Sequence, residues 1–263
     1  MKRALKWMPL HLENVENIKF WEVDMEYLML NTPPLCNYEC KKCFTEVTER
    51  APKNTLSLDE MLKTIHWGKE KWVKVICILW EWEPLVYQHF KTAVKYVNKN
   101  WMIPVFVSNW YLLDKETVDF LYENNAVVVV SLDTLDEKEY EEYCWWTSDL
   151  KTVLNNLNYA KKKFSNKIIE KNWYEVFSLA IHMTVTAKNF KYMKQIEDFC
   201  WEEMYFDCQW IADVWEAKKN EDYVWDEKLY HEYMKNSEEA YKPMVITKTE
   251  KWDDVCCLFY YWM

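Results

Sequence analysis

Cys36, Cys40 and Cys43 stand in the stretch LCNYECKKCF as a C-x3-C-x2-C array, just after the apolar run Tyr27, Leu28, Met29 and Leu30. Three thiols so close together read as soft metal ligands. A closed structural zinc or iron-sulfur site ordinarily takes four protein ligands, so this array leaves one position over. Three thiolates can hold three corners of a cubane 4Fe-4S cluster and leave one iron open to a non-protein ligand. They can also hold zinc with one further side chain such as Cys77, which would make the site part of an interaction module.

The elements that must position the array read as a βα repeat. Strands are expected near 26–30, 73–79 (VKVICIL), 103–108 (IPVFVS), 126–132 (AVVVVSL), 176–186 (VFSLAIHMTVT) and 204–211. Near-continuous Val, Ile and Leu runs suit strands buried on both faces. Between them, Ser57 and Glu60 form a capping box ahead of the stripe Leu58, Met61, Leu62 and Ile65. Val86, Phe90, Ala93, Val94 and Val97 repeat the stripe, and Asp114 and Ser148 are placed to cap the following helices. Parallel strands joined by helical crossovers place function at the strands' C-terminal ends, and the cysteine loop lies at such an end. The fold expected is α/β, a partial (β/α)6 TIM-like barrel with a short C-terminal helical extension. Residues 1–25 read as an N-terminal extension, 26–212 as the core barrel, and 213–263 as a C-terminal helix leading into a further cysteine-containing segment.

Composition narrows the partners. The formal charge is -10, with 43 acidic against 33 basic residues, and Arg3 and Arg50 are the only arginines. That balance argues against nucleic acid as a partner. No uncharged apolar run is long enough to span a membrane, and the N-terminus shows no signal-peptide core, so a soluble cytoplasmic protein is expected. The nine cysteines then favour reduced thiols and metal ligation over a disulfide framework. Cys77 and Cys208 sit in apolar runs and read as core, while Cys144 and Cys200 read as bystanders.

One count is abnormal. The chain has 17 Trp and a single Gly, Gly68, where about 7% glycine is usual. Trp72, Trp101 and Trp173 fall where a helix hands over to a strand, a place that commonly wants glycine in a left-handed cap. Trp110 follows a strand, Trp145 and Trp146 sit in a connection, and Trp80 and Trp82 bracket the turn after the second strand. Exchanging the two residue types gives 17 Gly and one Trp, a normal composition. We therefore expect Gly and Trp to be interchanged relative to a natural parent. The alternative is a Trp-rich protein that bears the strain.

The motifs downstream of the cysteines carry a resemblance. After the second strand, ILWEWEPLV (78–86) resembles the Gly-Gly-Glu-Pro stretch of the radical S-adenosylmethionine (SAM) superfamily, with Glu83 and Pro84 intact. Ser108-Asn109-Trp110 is similar to that family's Ser/Thr-Asn-Gly, VSLDT (130–134) to its Ser-Leu-Asp-Gly, and VTAKN (185–189) to its Val-Thr-x-x-Asn. The five motifs follow successive strands over roughly residues 26–211.

The resemblance implies a 4Fe-4S cluster on Cys36, Cys40 and Cys43, with SAM completing the open iron through its amino and carboxylate groups. Reductive cleavage of SAM would then yield a radical that abstracts a substrate hydrogen, with electrons from an external donor. The substrate class implied is a peptide or small metabolite. By matching position, Trp80, Glu81, Trp82 and Glu83 receive the SAM ammonium, and Asn109, Ser131 and Asp133 serve the ribose, methionine or substrate end. Ser131, Asp133 and Asn109 equally suit turns and helix caps. Thr186 and Asn189 read as a cap for the next helix. Lys42 departs from the family, where an aromatic or adenine-packing residue commonly precedes the third cysteine, and Phe44 offers the aromatic instead. His182 is a strand residue that could face the substrate. The terminal CCLFYYW resembles the start of the SPASM or twitch extension of peptide-modifying members. A C-terminally truncated chain is therefore expected, with Cys257 a ligand of an auxiliary cluster if the chain were complete. Two other readings stand beside this one: a variant that keeps the barrel but cannot bind SAM past Trp80 and Trp82, and the zinc-binding interaction module.

Overall fold

The computed structural model of the chain describes residues 27–31, 35–43, 56–79, 83–144, 149–165, 167–171, 174–200, 204–210 and 228. Within them lie strands β1 (Tyr27–Asn31), β2 (Val75–Leu79), β3 (Ile103–Ser108), β4 (Val127–Ser131), β5 (Ile168–Lys171), β6 (Tyr174–Phe177), β7 (Leu179–Val185) and β8 (Tyr205–Trp210). The helices are α1 (Leu58–Glu70), α2 (Phe90–Lys99), α3 (Lys115–Glu123), α4 (Glu137–Cys144), α5 (Leu150–Phe164) and α6 (Met193–Cys200). The main sheet has six strands in the order β1-β2-β3-β4-β7-β8, and every neighbouring pair in it is parallel. This is the open α/β sheet of a partial barrel. Among the described residues its edges are β1 and β8, and the cysteine loop follows one of them.

Alternation along the strands sorts the core into two layers. Ile76, Ile78, Phe106, Val128, Val130, Ile181 and Met183 face the helices and pack with Met61, Ile65, Phe90, Val94, Leu121 and Leu157. Val75, Cys77, Ile103, Val105, Val127, Val129 and Ala180 form the other face. Cys77 therefore lies in the apolar inner layer, as core, and the zinc reading that borrowed it as a fourth ligand loses that ligand.

The helix starts are as chemistry dictates. Ser57 and Glu60 make the reciprocal capping box, and the Asp114 carboxylate accepts from Thr117 N at 2.8 Å. At α5 the cap is Asp149, whose carboxylate accepts from Thr152 N. The expected cap, Ser148, lies one residue earlier and outside the described residues. A carboxylate serves a helix N-terminus through its charge as well as its oxygen, which an adjacent serine lacks.

One expected strand divides. The run 176–186 breaks at Ser178, whose amide turns to Lys167 O while its carbonyl accepts from Val128 N. The residues before it, β6, pair antiparallel with β5, and only β7 joins the main sheet. Lys171, expected at a helix-to-strand corner, instead ends β5 and pairs with Tyr174 of β6, while Asn172 and Trp173 lie outside the described residues.

Four non-glycine residues have positive φ among the described residues, and three are Trp72 (62°), Trp101 (66°) and Trp110 (68°), the fourth being Asn125 (51°). These are glycine positions by backbone conformation. Trp72 and Trp101 are each 74% exposed, so their rings recover little of the strain by burial. Gly68, by contrast, is packed inside α1, where a Cβ would meet Leu28 Cδ2 at 3.2 Å. A tryptophan at 68 would need α1 to move off the sheet.

Trp72→Gly and Trp101→Gly should each stabilise the chain by about 1 kcal/mol, the cost of holding an L side chain in the left-handed region. Thermal unfolding of each variant checks this, and a lowered midpoint in both would contradict the assignment.

Candidate functional site

The cysteine loop, residues 35–43, has little regular structure of its own and is held by the ends of the strands beside it. Leu35 O accepts from Glu83 N at 3.1 Å, beyond β2. Asn37 Oδ1 accepts from Asn109 Nδ2 at 2.8 Å, at the end of β3. Lys42 pairs with Asp133, past the end of β4. Lys41 N donates to Tyr143 O at 3.0 Å, and the hydroxyls of Tyr38 and Tyr140 meet at 3.3 Å, which ties the loop to α4. The Tyr38 ring also packs beside Tyr111, with centroids 5.9 Å apart.

Glu83 is the joint between β2 and β3. Its carboxylate accepts from Leu85 N, Ser108 Oγ and Asn109 N at 3.2, 2.9 and 2.8 Å. Three of roughly four lone-pair sites are thereby filled by the chain itself. The group is buried, and burial pushes its pKa from 4.5 up to about 7, against the three hydrogen bonds that lower it. Asp133 is buried as well, but its oxygens accept from the Lys42 ammonium and from Thr184 N, on β7, at 2.8 Å. Burial works against the charge on Lys42, and the fields of Asp133 and Cys40 overcome it, so the ammonium holds its proton above the usual lysine range.

The three thiols are half-buried. Burial pushes Cys36 up to about 12, with smaller contributions from Cys40, Glu83 and Cys43, so the cysteines lie within one another's fields. Cys40 is raised first by a hydrogen bond with the Cys144 thiol and then by burial. Cys144, at the C-terminal end of α4, is therefore a neighbour of the loop. Its sequence separation from Cys40 hid that contact. Cys36 Sγ accepts from Tyr38 N at 3.4 Å. No three Cys, His, Asp or Glu side chains among the described residues converge on a single point, as one tetrahedral ion requires. A cubane spreads its thiolates over separate irons, and three neighbouring thiols on one shielded loop fit that demand.

Of the other expected residues, Ser131 closes β4, is half-buried, and its hydroxyl makes no hydrogen bond among the described residues. Asn109 uses its amide on Asn37 and its carbonyl oxygen on Tyr111 N. Thr186 and Asn189 bond reciprocally across the turn into α6, as a cap should. His182 pairs with Ser131 in the β4–β7 register and is half-buried. Phe44, Trp80, Glu81, Trp82 and Cys257 lie outside the described residues, as do the extensions 1–25 and 213–263 apart from Lys228.

The family profile described as Radical SAM superfamily matches residues 30–174, more than half of the 263-residue chain. The chain belongs to the radical SAM superfamily. No curated protein matches it in sequence. Among solved structures it is similar to Streptococcus suis SuiB bound to precursor peptide SuiA, at 19% identity and a TM-score of 0.62, over 80% of this chain and 45% of that one. It is similar to anSMEcpe with bound AdoMet and Kp18Cys peptide, at 16% identity and a TM-score of 0.62, over 80% and 59% of the two chains. TYW1 with a lysine-pyruvate adduct matches at 17% identity and a TM-score of 0.50, over 81% and 74%. At these identities the likeness is one of fold, and the chain spans less than half the length of SuiB. The radical SAM match begins at Leu30, so it takes in the cysteine loop and the ends of β2, β3 and β4 that hold it. No helix of the described residues is long and apolar enough to cross a membrane.

Glu83 has a consequence for stability. Its native carboxyl keeps a proton to a higher pH than the unfolded one, so between about 4.5 and about 7 the native state binds more protons. The stability is fully present below the unfolded pKa and is lost as pH rises through the folded one, up to about 3 kcal/mol from this group. Glu83→Gln should abolish that component while costing about 1–3 kcal/mol for the donors it leaves unmatched. Denaturant unfolding of the metal-free chain at about pH 5 and about pH 8 tests it, and an unchanged slope in the variant would count against Glu83 as its source.

Proposed function

We propose that this chain is an enzyme that cleaves SAM reductively with a 4Fe-4S cluster and abstracts hydrogen from a peptide or small-metabolite substrate. The observation that carries the proposal is the loop of Cys36, Cys40 and Cys43, held at the C-terminal edge of the parallel sheet by partners from β2, β3, β4 and α4. When bound, the cluster supplies the electron that splits the sulfonium of SAM into methionine and a 5'-deoxyadenosyl radical.

The chain's own residues have distinct parts. Cys36, Cys40 and Cys43 hold the cluster, and because burial keeps Cys36 protonated to about 12, metal loading must displace protons and is favoured by iron's own charge. Glu83 is held by Ser108 and Asn109, with one acceptor site left for the SAM ammonium. Ser131 is the strand-end hydroxyl free to reach a ribose or carboxylate. Asn109 and Asp133 hold the loop in place, since their polar atoms are spent on Asn37, Tyr111, Lys42 and Thr184. The inner layer of apolar side chains keeps water from the reaction. Phe44, Trp80, Glu81 and Trp82 are proposed to complete the cofactor side, and residues 213–263 to begin a SPASM-like or twitch-like extension with Cys257 as an auxiliary ligand. Solved neighbours SuiB and anSMEcpe hold peptides, which favours a peptide over a free metabolite. An external reductant supplies the electrons.

Anaerobic reconstitution with iron and sulfide should give a brown protein that releases 5'-deoxyadenosine from SAM with dithionite. Cys40→Ala should lose cluster and turnover together. Stoichiometric zinc without a cluster, or SAM cleavage undiminished in the Cys40 variant, would refute the proposal.

A further inference from the structure

Lys42 and Asp133 form the one ion pair among the described residues in which both partners are buried. Its place is unusual. Lys42 lies on the cysteine loop, between Cys40 and Cys43. Asp133 stands past β4 and is fixed from behind by Thr184 N of β7. A buried pair of this kind is weak as a source of stability, because desolvating both charges consumes most of the attraction. An apolar contact would fasten the loop as well. The charges themselves call for a different account.

Lys42 is next to Cys43 and two residues from Cys40, so the buried cation and its carboxylate partner stand among the residues proposed to hold the cluster. Reducing a cluster adds negative charge at the same place. A cation beside it stabilises the reduced form and an anion the oxidised form, and burial keeps solvent from screening either.

We propose that Lys42 and Asp133 are positioning residues that set the reduction potential of the cluster held by Cys36, Cys40 and Cys43, Lys42 raising it and Asp133 lowering it. Asp133 also orients Lys42, since its other oxygen is tied to β7 and the ammonium has no comparable carboxylate nearby among the described residues. The inference rests on the cluster reading of the loop, which is tested first by iron content and the absorbance of the reconstituted protein.

The test is a spectroscopically monitored redox titration of the reconstituted chain and four variants without substrate. Lys42→Met should titrate at a lower potential than the parent and Asp133→Asn at a higher one, while Lys42→Arg should restore a value near the parent's. A merely structural role would loosen the loop and admit water in both single variants, moving both potentials the same way. Shifts of one sign, or no shift in either, overturn the proposal. Lys42→Met/Asp133→Asn, which removes both charges without leaving one buried alone, should titrate between the two single variants, and a value outside that interval overturns the proposal. If one single variant does not fold, the other decides by its sign: a raised potential in Lys42→Met, or a lowered one in Asp133→Asn, overturns the proposal. A parent chain that takes up no iron defeats the cluster reading itself, whereas a loaded parent with unmoved variants defeats only this inference.

Discussion

The anchoring of the irregular stretch 35–43 to the C-terminal ends of parallel strands is the constraint on which the rest depends. Residues 35–43 make few hydrogen bonds among themselves, and buried polar groups must be satisfied somewhere. The strand ends do that work. Each successive strand from β2 to β4 contributes one polar side chain or amide, and α4 adds a carbonyl, a tyrosine and a thiol. A parallel sheet supplies such partners because all of its strands end on one side, within reach of a loop that leaves the first of them. The loop's position is therefore a property of the whole sheet.

Two buried acids flank that loop, and the chain treats them differently. Glu83 is surrounded by neutral donors, so its charge costs enough that the proton stays to about pH 7. Asp133 meets a cation instead. The first arrangement joins the ends of β2 and β3 while leaving little fixed charge between them. The second places a permanent dipole beside the thiols.

Much of this was legible in the sequence. The strand runs are apolar on both faces and their order is kept in the chain, so β1 to β4 and the cysteine loop could be read directly, as could the caps at Ser57 and Asp114. What escaped is long-range or depends on a single residue. Ser178 divides a run whose composition is continuous strand. Cys144 is remote from Cys40 in the chain, and its contact exists only because α4 ends under the loop. Asp133 was read as a ligand group, yet its partner Lys42 is 91 residues away, and an ion pair between remote positions leaves no periodic signal. Glu83 was legible in place but not in role, since nothing local shows that three donors converge on it.

The tryptophans bear on the site through backbone geometry. Trp72 and Trp101 strain turns at the opposite end of the strands, where a ring can lie in solvent. Trp110 is different: it is fully buried, its indole N–H has no partner among the described residues, and its φ is 68°. Its own amide donates to Ser108 Oγ at 2.9 Å, and that hydroxyl donates to Glu83. The left-handed turn at 110 thus aims Ser108 and the Asn109 amide at the buried carboxylate. Any residue at 110 must adopt that conformation if Glu83 is to be held, and glycine does so without strain or an orphaned donor. The conformation belongs to the site, and the tryptophan is a cost borne to keep it.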